Sequence, residues 1–219
     1  GSKRYKVTYR AEGGHSFGAF GKPNPIHAMG RAIHSIAQLH GLKEPKTTFN
    51  VGVVSGGTSI NSIPCEASML IDIRSNSAQE LAKLEATILE MCKAAAPAET
   101  EHWNHTDSVK IDIELLGDRP AGSQPHDGLM VNTFAEVLSV FGKKPVISEA
   151  GSTDCNVPVS LGVPAAVLGY GGTGGDCHNP DEWYQPDPNY PGPQHTLLML
   201  LLLTGVEGVC QPKVEKHKK

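Results

Sequence analysis

Ser68 to Ala95 reads SMLIDIRSNSAQELAKLEATILEMCKAA, and within it the spacing of apolar side chains changes period. Up to Arg74 the period is two. Met69, Ile71 and Ile73 fall on one face and Ser68, Leu70, Asp72 and Arg74 on the other, the pattern of a strand with one covered face. Arg74 is thereby expected to point away from the core. From Leu81 the period is helical, with Leu81, Leu84, Ile88, Met91 and Ala95 on a shared face. Between the two, Ser77-Ala78-Gln79-Glu80 has the form of a capping box.

The flanks extend this strand and helix into a larger unit. Upstream, Tyr5, Val7 and Tyr9 alternate with Lys6, Thr8 and Arg10. After a Gly-rich loop, Asn24-Pro25 is placed to cap a helix carrying Ile26, Met29, Ile33 and Ile36. Phe49, Val51 and Val53 alternate in a second strand, and Val109, Ile111, Ile113 and Leu115 in a fourth. The order is β-α-β-β-α-β, the ferredoxin-like split pattern, in which two helices cover one face of a four-stranded antiparallel sheet. The other sheet face must meet solvent or a partner.

From Asp118 the texture changes, and the spacing divides the chain into residues 1–118 and 119–219. The second part is expected to hold a helix with Met130, Phe134, Leu138 and Phe141, a short buried strand at Ala165-Ala166-Val167-Leu168, a Gly-rich loop region and an apolar helix from Leu197 to Val206. A helix apolar on all sides needs neighbours around it, and so short a segment supplies few. With a strand pattern already under way at Arg4 and no leader pattern before it, the residues read as beginning in mid-protein.

A net charge of -4 and a pI near 6.2 give no electrostatic footprint for nucleic acid or an anionic membrane. The basic run Lys213 to Lys219 reads as a frayed terminus. The run Leu197 to Leu203 falls far short of the roughly 20 residues that a bilayer span needs. Five cysteines without CxxC spacing argue against a disulfide framework and a structural zinc site, and for a reducing, cytoplasmic setting.

Four loops carry candidate chemistry. Gly13-Gly14-His15-Ser16, with Gly18-Ala19-Phe20-Gly21, sets a histidine where backbone can approach a ligand closely. Gly56 to Pro64 contains Asn61, a donor and an acceptor, and leads to Arg74, whose planar fork suits a carboxylate. An Asx-turn for Asn61 and a surface salt bridge for Arg74 remain equal alternatives. Gly151 to Asn156 lacks the surroundings of a serine nucleophile. Ser152 and Thr153 read instead as pocket-lining groups, as does Gly172 in the Gly-rich loop Gly171 to Gly175. His178 leaves that loop, with Asp181 and Glu182 placed to orient its ring. The remaining histidines, His195 among them, read as surface residues.

Taken in order, GGHS-x-GAFG, GGTSINSIP, the strand ending in DIRS, GSTDCN and GDCHNPDEW resemble the di-zinc exopeptidase and deacylase family of succinyl-diaminopimelate desuccinylase, acetylornithine deacetylase, aminoacylase and the tripeptidases. The resemblance implies a ferredoxin-like dimerisation domain followed by the C-terminal remnant of a zinc-peptidase α/β domain. It implies that His15 reaches the partner subunit's site to stabilise an oxyanion, that Asn61, Arg74, Ser152, Thr153 and Gly172 contact substrate, and that His178 is a zinc ligand. Two zinc ions, replaceable by Co2+ or Mn2+, belong to each complete site, and the substrate is a small peptide or N-acyl amino acid. Neither an H-x-D segment nor a Glu-Glu pair occurs here in a suitable setting, so the chain is expected to be a fragment, homodimeric and inactive alone. The alternative is a non-catalytic dimerisation or binding module.

Overall fold

The computed structural model describes residues 1–148, 151–169 and 171–215, and divides into two compact units, Gly1–Gly122 and Ser123–Lys219. The first unit contains β1 (Ser2–Arg10), β2 (Gly14–His15), α1 (Pro25–Ala37), β3 (Thr47–Gly56), β4 (Ser62–Ile63), β5 (Glu66–Ser75), α2 (Ala78–His102) and β6 (Lys110–Arg119). Its four long strands form one antiparallel sheet in the order β3-β5-β1-β6, and β2 and β4 form a small separate ladder. The ferredoxin-like architecture expected from the periodicity is the one observed.

Alternation decides which face is covered. Tyr5, Val7 and Tyr9 of β1 and Met69, Ile71 and Ile73 of β5 are buried with Ala28, Met29, Ala32 and Ile36 of α1 and Leu81, Ile88, Cys92 and Ala95 of α2. Arg74 lies on the other face and is exposed, as its strand position requires. The Tyr9 hydroxyl donates to the Cys92 carbonyl at 2.8 Å, tying the central strand to α2. Burial pushes the Cys92 thiol up to about 11, so it stays protonated and inert.

The starts of α1 and α2 are capped. Ile26 N donates to Asn24 Oδ1 at 2.8 Å, and Glu80 N to Ser77 Oγ at 3.3 Å. Only half of the capping box forms, because Ser77 N donates to Ser75 Oγ and the Glu80 carboxylate pairs with Lys83.

Three details depart from simple periodicity. A bulge between Val51 and Val53 turns Val53 off the covered face, leaving it 53% exposed. A second irregularity, opposite Arg4 and Tyr5, accompanies the exposure of Leu115 on β6. On α1 the inward face is Ala28, Met29, Ala32 and Ile36, while Ile26 is exposed. Ala28 and Ala32 are both fully buried on that inward face.

The second unit holds α3 (Leu129–Val140), α4 (Asn156–Ser160), the hairpin of β7 (Thr173–Gly175) with β8 (Trp183–Gln185), and α5 (Pro191–Thr204). The expected strand at Ala165 to Leu168 does not form, and Val167 is exposed. Among the described residues no strand lies beside it to accept a ladder. The Gln124 side-chain amide serves instead, bonding both the N–H and the carbonyl of Ala165. On α5, Leu197, Leu200 and Leu201 are exposed, in keeping with a helix that lacks enough neighbours. No helix is long and apolar enough to cross a membrane among the described residues. Lys213 pairs with Glu136, and the end of the basic run, 216–219, lies outside the described residues.

His195 corrects the expectation of a surface residue. It is 5% exposed, with its ring edge-on to Phe134 and Phe141 at 6.2 and 4.5 Å, and its Nε2 has no hydrogen-bond partner among the described residues. It lies one helical turn before buried Met199, on the α5 face that packs against α3. Burial, and then the charge of Lys143, hold its pKa below the ordinary 6.5. The unfolded chain therefore takes up this proton first as pH falls. The second unit should lose stability as pH drops below about 6.5 and keep it above. His195→Leu should flatten that dependence, read from the thermal loss of the Val137 and Met199 methyl NMR signals between pH 5 and 8.

Candidate functional site

The His15 loop starts where β1 stops pairing. Ala11 N donates to Cys65 O at 3.0 Å, and the chain then turns through Gly13 at φ +75°. A side chain does not fit there, since a Cβ on Gly13 would lie 2.6 Å from Cys65 Sγ. Gly14 and His15 pair with Ile63 and Ser62, and Ser16 N donates to Asn61 O at 2.9 Å. The fold thus brings together two loops that are far apart in sequence.

His15 is exposed, yet its ring is held. Its Nδ1 accepts from Phe17 N and Gly18 N, both at 3.3 Å, while its carbonyl accepts from Ala19 N at 2.8 Å. With Nδ1 an acceptor, the neutral ring carries its proton on Nε2. The loop therefore presents an N–H donor. Asn61 Oδ1 accepts from Ser59 Oγ at 2.6 Å, which uses the amide's acceptor and leaves its N–H donors. His15 and Asn61 each present a donor of the kind that a carbonyl oxygen or a developing oxyanion accepts from.

Arg74 stands at the other end of the sheet. In the β1–β5 ladder Ser2 faces Arg74, whereas Arg10, on the side of the His15 loop, faces Glu66. That separation is roughly 26 Å at about 3.3 Å per residue. The Arg74 fork is engaged by Asp72, with Nε to Oδ2 at 2.6 Å and a terminal nitrogen to Oδ1 at 3.4 Å. Arg4 Nε reaches the same carboxylate at 3.1 Å. Partial burial would raise the Asp72 carboxyl, but hydrogen bonds from Arg74 and Arg4 outweigh it and hold the group below the ordinary carboxylate range.

In the second unit, Thr153 Oγ1 accepts from Cys155 N at 3.2 Å and Thr153 N donates to Asn156 Oδ1 at 2.8 Å, so this segment is a turn leading into α4. Ser152 is half-buried beside it. Gly172, at φ +80°, has no space for a side chain, since a Cβ there would sit 2.5 Å from the Gln185 carbonyl.

His178 lies in the exposed loop between β7 and β8, at φ +65°. Its backbone N donates to Glu182 Oε2 at 3.3 Å, and the same carboxylate takes the Cys177 thiol. Glu182 thus holds the loop backbone and not the His178 ring. Among the described residues no three His, Cys, Asp or Glu side chains come together to hold a metal, and His178 stands there without a companion ligand group. The only H-x-D lettering, His105-Thr106-Asp107, falls in the exposed turn after α2, where Asp107 pairs with Lys110.

Two functional candidates escaped the sequence reading. Glu99 is fully buried, and Trp103 donates to it at 2.9 Å. The signal was present, because Glu99 continues the apolar register Leu81, Ile88, Ala95 by one further turn, and a carboxylate on a buried stripe demands partners.

Residues 1–100 match the family model of the peptidase dimerisation domain. Among solved structures, a tripeptidase from Staphylococcus aureus superposes with TM-score 0.64 at 17% identity, over 90% of this chain and 50% of that one. The aminopeptidase PepT from Bacillus cereus gives 0.62 at 20%, over 91% and 50%. An amidase of the hydantoinase/carbamoylase family from Burkholderia vietnamiensis gives 0.61 at 17%, over 91% and 47%. The chain spans about half the length of these structures, and at such identities the likeness is one of fold.

The geometry makes a direct prediction about His15. Long-range proton–nitrogen NMR at pH 8 should show its Nδ1 unprotonated and its Nε2 protonated, and Gly13→Ala should erode that preference by displacing the turn. A predominantly Nδ1-protonated ring would contradict the loop geometry.

Proposed function

We propose that this chain, whose first hundred residues match the peptidase dimerisation domain, belongs to a metal-dependent hydrolase cleaving the amide bond of small peptides or N-acyl amino acids. In this reading residues 1–118 are the lid and dimerisation domain, and 119–219 are the C-terminal part of the catalytic domain. The observation that carries it is the His15 ring, whose Nδ1 is occupied by two backbone N–H groups so that Nε2–H is offered to a substrate oxygen. A donor fixed in advance stabilises developing negative charge without reorganising during the reaction. His178 would bring one ligand to a complete site of two zinc ions, with the others from residues not in this chain. Ser152, Thr153 and Gly172 would supply pocket wall, and a cytoplasmic setting accords with the cysteine pattern.

The homodimer has a favoured edge. β6 exposes Lys110, Asp112, Glu114, Asp118 and Arg119 along its length, charges that discourage pairing with another strand. β3, TTFNVGVVSG, carries no charge and exposes Val53 and Val54. On α1, Ile26, Gly30 and Ala37 are exposed, and a Cβ on Gly57, just past β3, would lie 3.4 Å from Ile26 Cδ1. A second copy pairing along β3 and α1 covers this surface.

The distance between His15 and Arg74 then has a consequence. A dipeptide spans about 7 Å, far less than the roughly 26 Å between the two ends of the ladder. One lid cannot supply both groups to one substrate. If Arg74 takes the substrate carboxylate, each site draws Arg74 from one protomer and His15 from the other.

In the complete gene product loaded with zinc, His15→Ala should lower kcat about 100-fold or more against dipeptides, tripeptides or N-acetyl amino acids, with KM little changed. Mixing His15→Ala with His178→Ala subunits should restore about a quarter of the wild-type rate, because half the dimers then hold one intact site. No hydrolysis of any of these by the wild type would leave the non-catalytic module as the reading.

Val54→Lys should weaken dimerisation at least about tenfold by sedimentation, and Glu114→Lys should leave it unchanged. The reverse ranking would move the interface to β6.

A further inference from the structure

The Glu99 carboxylate is the one buried charge in the first unit's core, and it is surrounded by donors. Its Oε1 accepts from Asn24 N at 3.2 Å and from Trp103 Nε1 at 2.9 Å, with His27 Nδ1 at 3.6 Å. Its Oε2 accepts from Arg31 Nε at 2.9 Å. Two of these groups touch the His15 loop. Asn24 is the residue at which that loop ends and α1 begins. Trp103 meets the Phe20 ring edge-on, with centroids 5.3 Å apart at 83°, and its Cε3 lies 3.9 Å from where a Gly21 Cβ would stand.

We propose that Glu99, acting through Trp103 and Asn24, is a positioning residue that fixes the exit of the His15 loop. This rests on the reading of His15 as the donor to the substrate oxygen. The loop entrance is held separately, by the pairing of Gly14 and His15 with β4 and by the Ser16–Asn61 bond. Between entrance and exit, Ala19 N donates to His15 O at 2.8 Å and Lys22 N to Ala19 O at 3.2 Å. Phe20 N donates to Phe17 O at 3.4 Å, and Phe17 N and Gly18 N donate to the His15 ring. A loose exit therefore loosens the two N–H groups that set the His15 tautomer.

Core stability alone does not account for the arrangement. A buried carboxylate costs more to desolvate than an apolar side chain of its size. Phe20 is 79% exposed, so its contact with Trp103 does not serve to bury it. What the carboxylate adds is a junction, in which one oxygen fixes both the end of the loop and the indole that backs it.

Three variants of this chain, Glu99→Gln, Glu99→Leu and Trp103→Leu, test the proposal. The readouts are amide exchange at Phe17 and Gly18 and the His15 ring nitrogen shifts, with the Val7 and Ile71 amides as a control for the fold. Glu99→Leu and Trp103→Leu should speed exchange at Phe17 and Gly18 at least about tenfold and move His15 toward the tautomer mixture of free imidazole, the control amides staying within about twofold. Glu99→Gln keeps an acceptor at the Oε1 position and should preserve the loop signature within about twofold. In the complete gene product, Glu99→Leu and Trp103→Leu should lower kcat about tenfold with KM within about twofold. Unchanged loop signals in Glu99→Leu, or control amides that accelerate as much as the loop, overturn the proposal. Loop signals that move without any change in kcat leave the positioning role standing and overturn the reading of His15 as catalytic.

Discussion

Tyr5, Val7 and Tyr9 lie beneath two helices, and the strand that carries them is hydrogen-bonded on both sides, to β5 and to β6. Because strand side chains alternate, covering this one face fixes the other. Arg4 and Arg10 are turned out, and so are Asp72 and Glu66 opposite them and Arg74 at the end of the same ladder. A register slip by one residue would place arginine under α1 and α2, a cost that no rearrangement of the loops could offset. The β1–β5 ladder also fixes the two ends of the sheet, and with them the separation of His15 from Arg74.

That ladder was legible because its information is local and periodic. Met69, Ile71 and Ile73 name the covered face without help from the rest of the chain, and Ser77 marks the start of α2. The bulge at Gly52 was not legible, since alternation of Phe49, Val51 and Val53 carries no mark of an inserted residue, although a glycine within a strand is the usual hint. Ile26 was misplaced for a different reason. Helical spacing gives the direction of the apolar face only to within a turn, and Ala28 and Ala32 carry little hydrophobic weight although both are fully buried. Of the candidate site, the loops were found from glycine and histidine lettering, but the pairing of β2 with β4, which joins His15 to Asn61, is a long-range contact that no local pattern announces.

The second unit shows the same limit from the other side. Ala165 to Leu168 has the composition of a buried strand, yet a strand exists only where another accepts its ladder, and here a glutamine side chain takes that place. His195 has the composition of a surface residue and lies in the core between Phe134 and Phe141, because one turn of helix carries it onto the face of Met199. In both cases a segment's type was read correctly as apolar or polar, and its environment was supplied by residues distant in sequence.

The two readings of Arg74 left open by the residues, a salt bridge and a carboxylate receptor, are compatible in magnitude. The pair with Asp72 is on the solvent side, with the arginine side chain 49% exposed, and an exposed pair of this kind contributes no more than about 1 kcal/mol. Asp72 does not depend on Arg74 alone, because Arg4 reaches the same carboxylate. If Arg74 turns to another carboxylate, Asp72 keeps one cation and the protein loses little. A desolvated, bidentate contact from an arginine to a carboxylate is stronger than an exposed pair of this kind. Asp72 therefore holds the guanidinium in one orientation without locking it there.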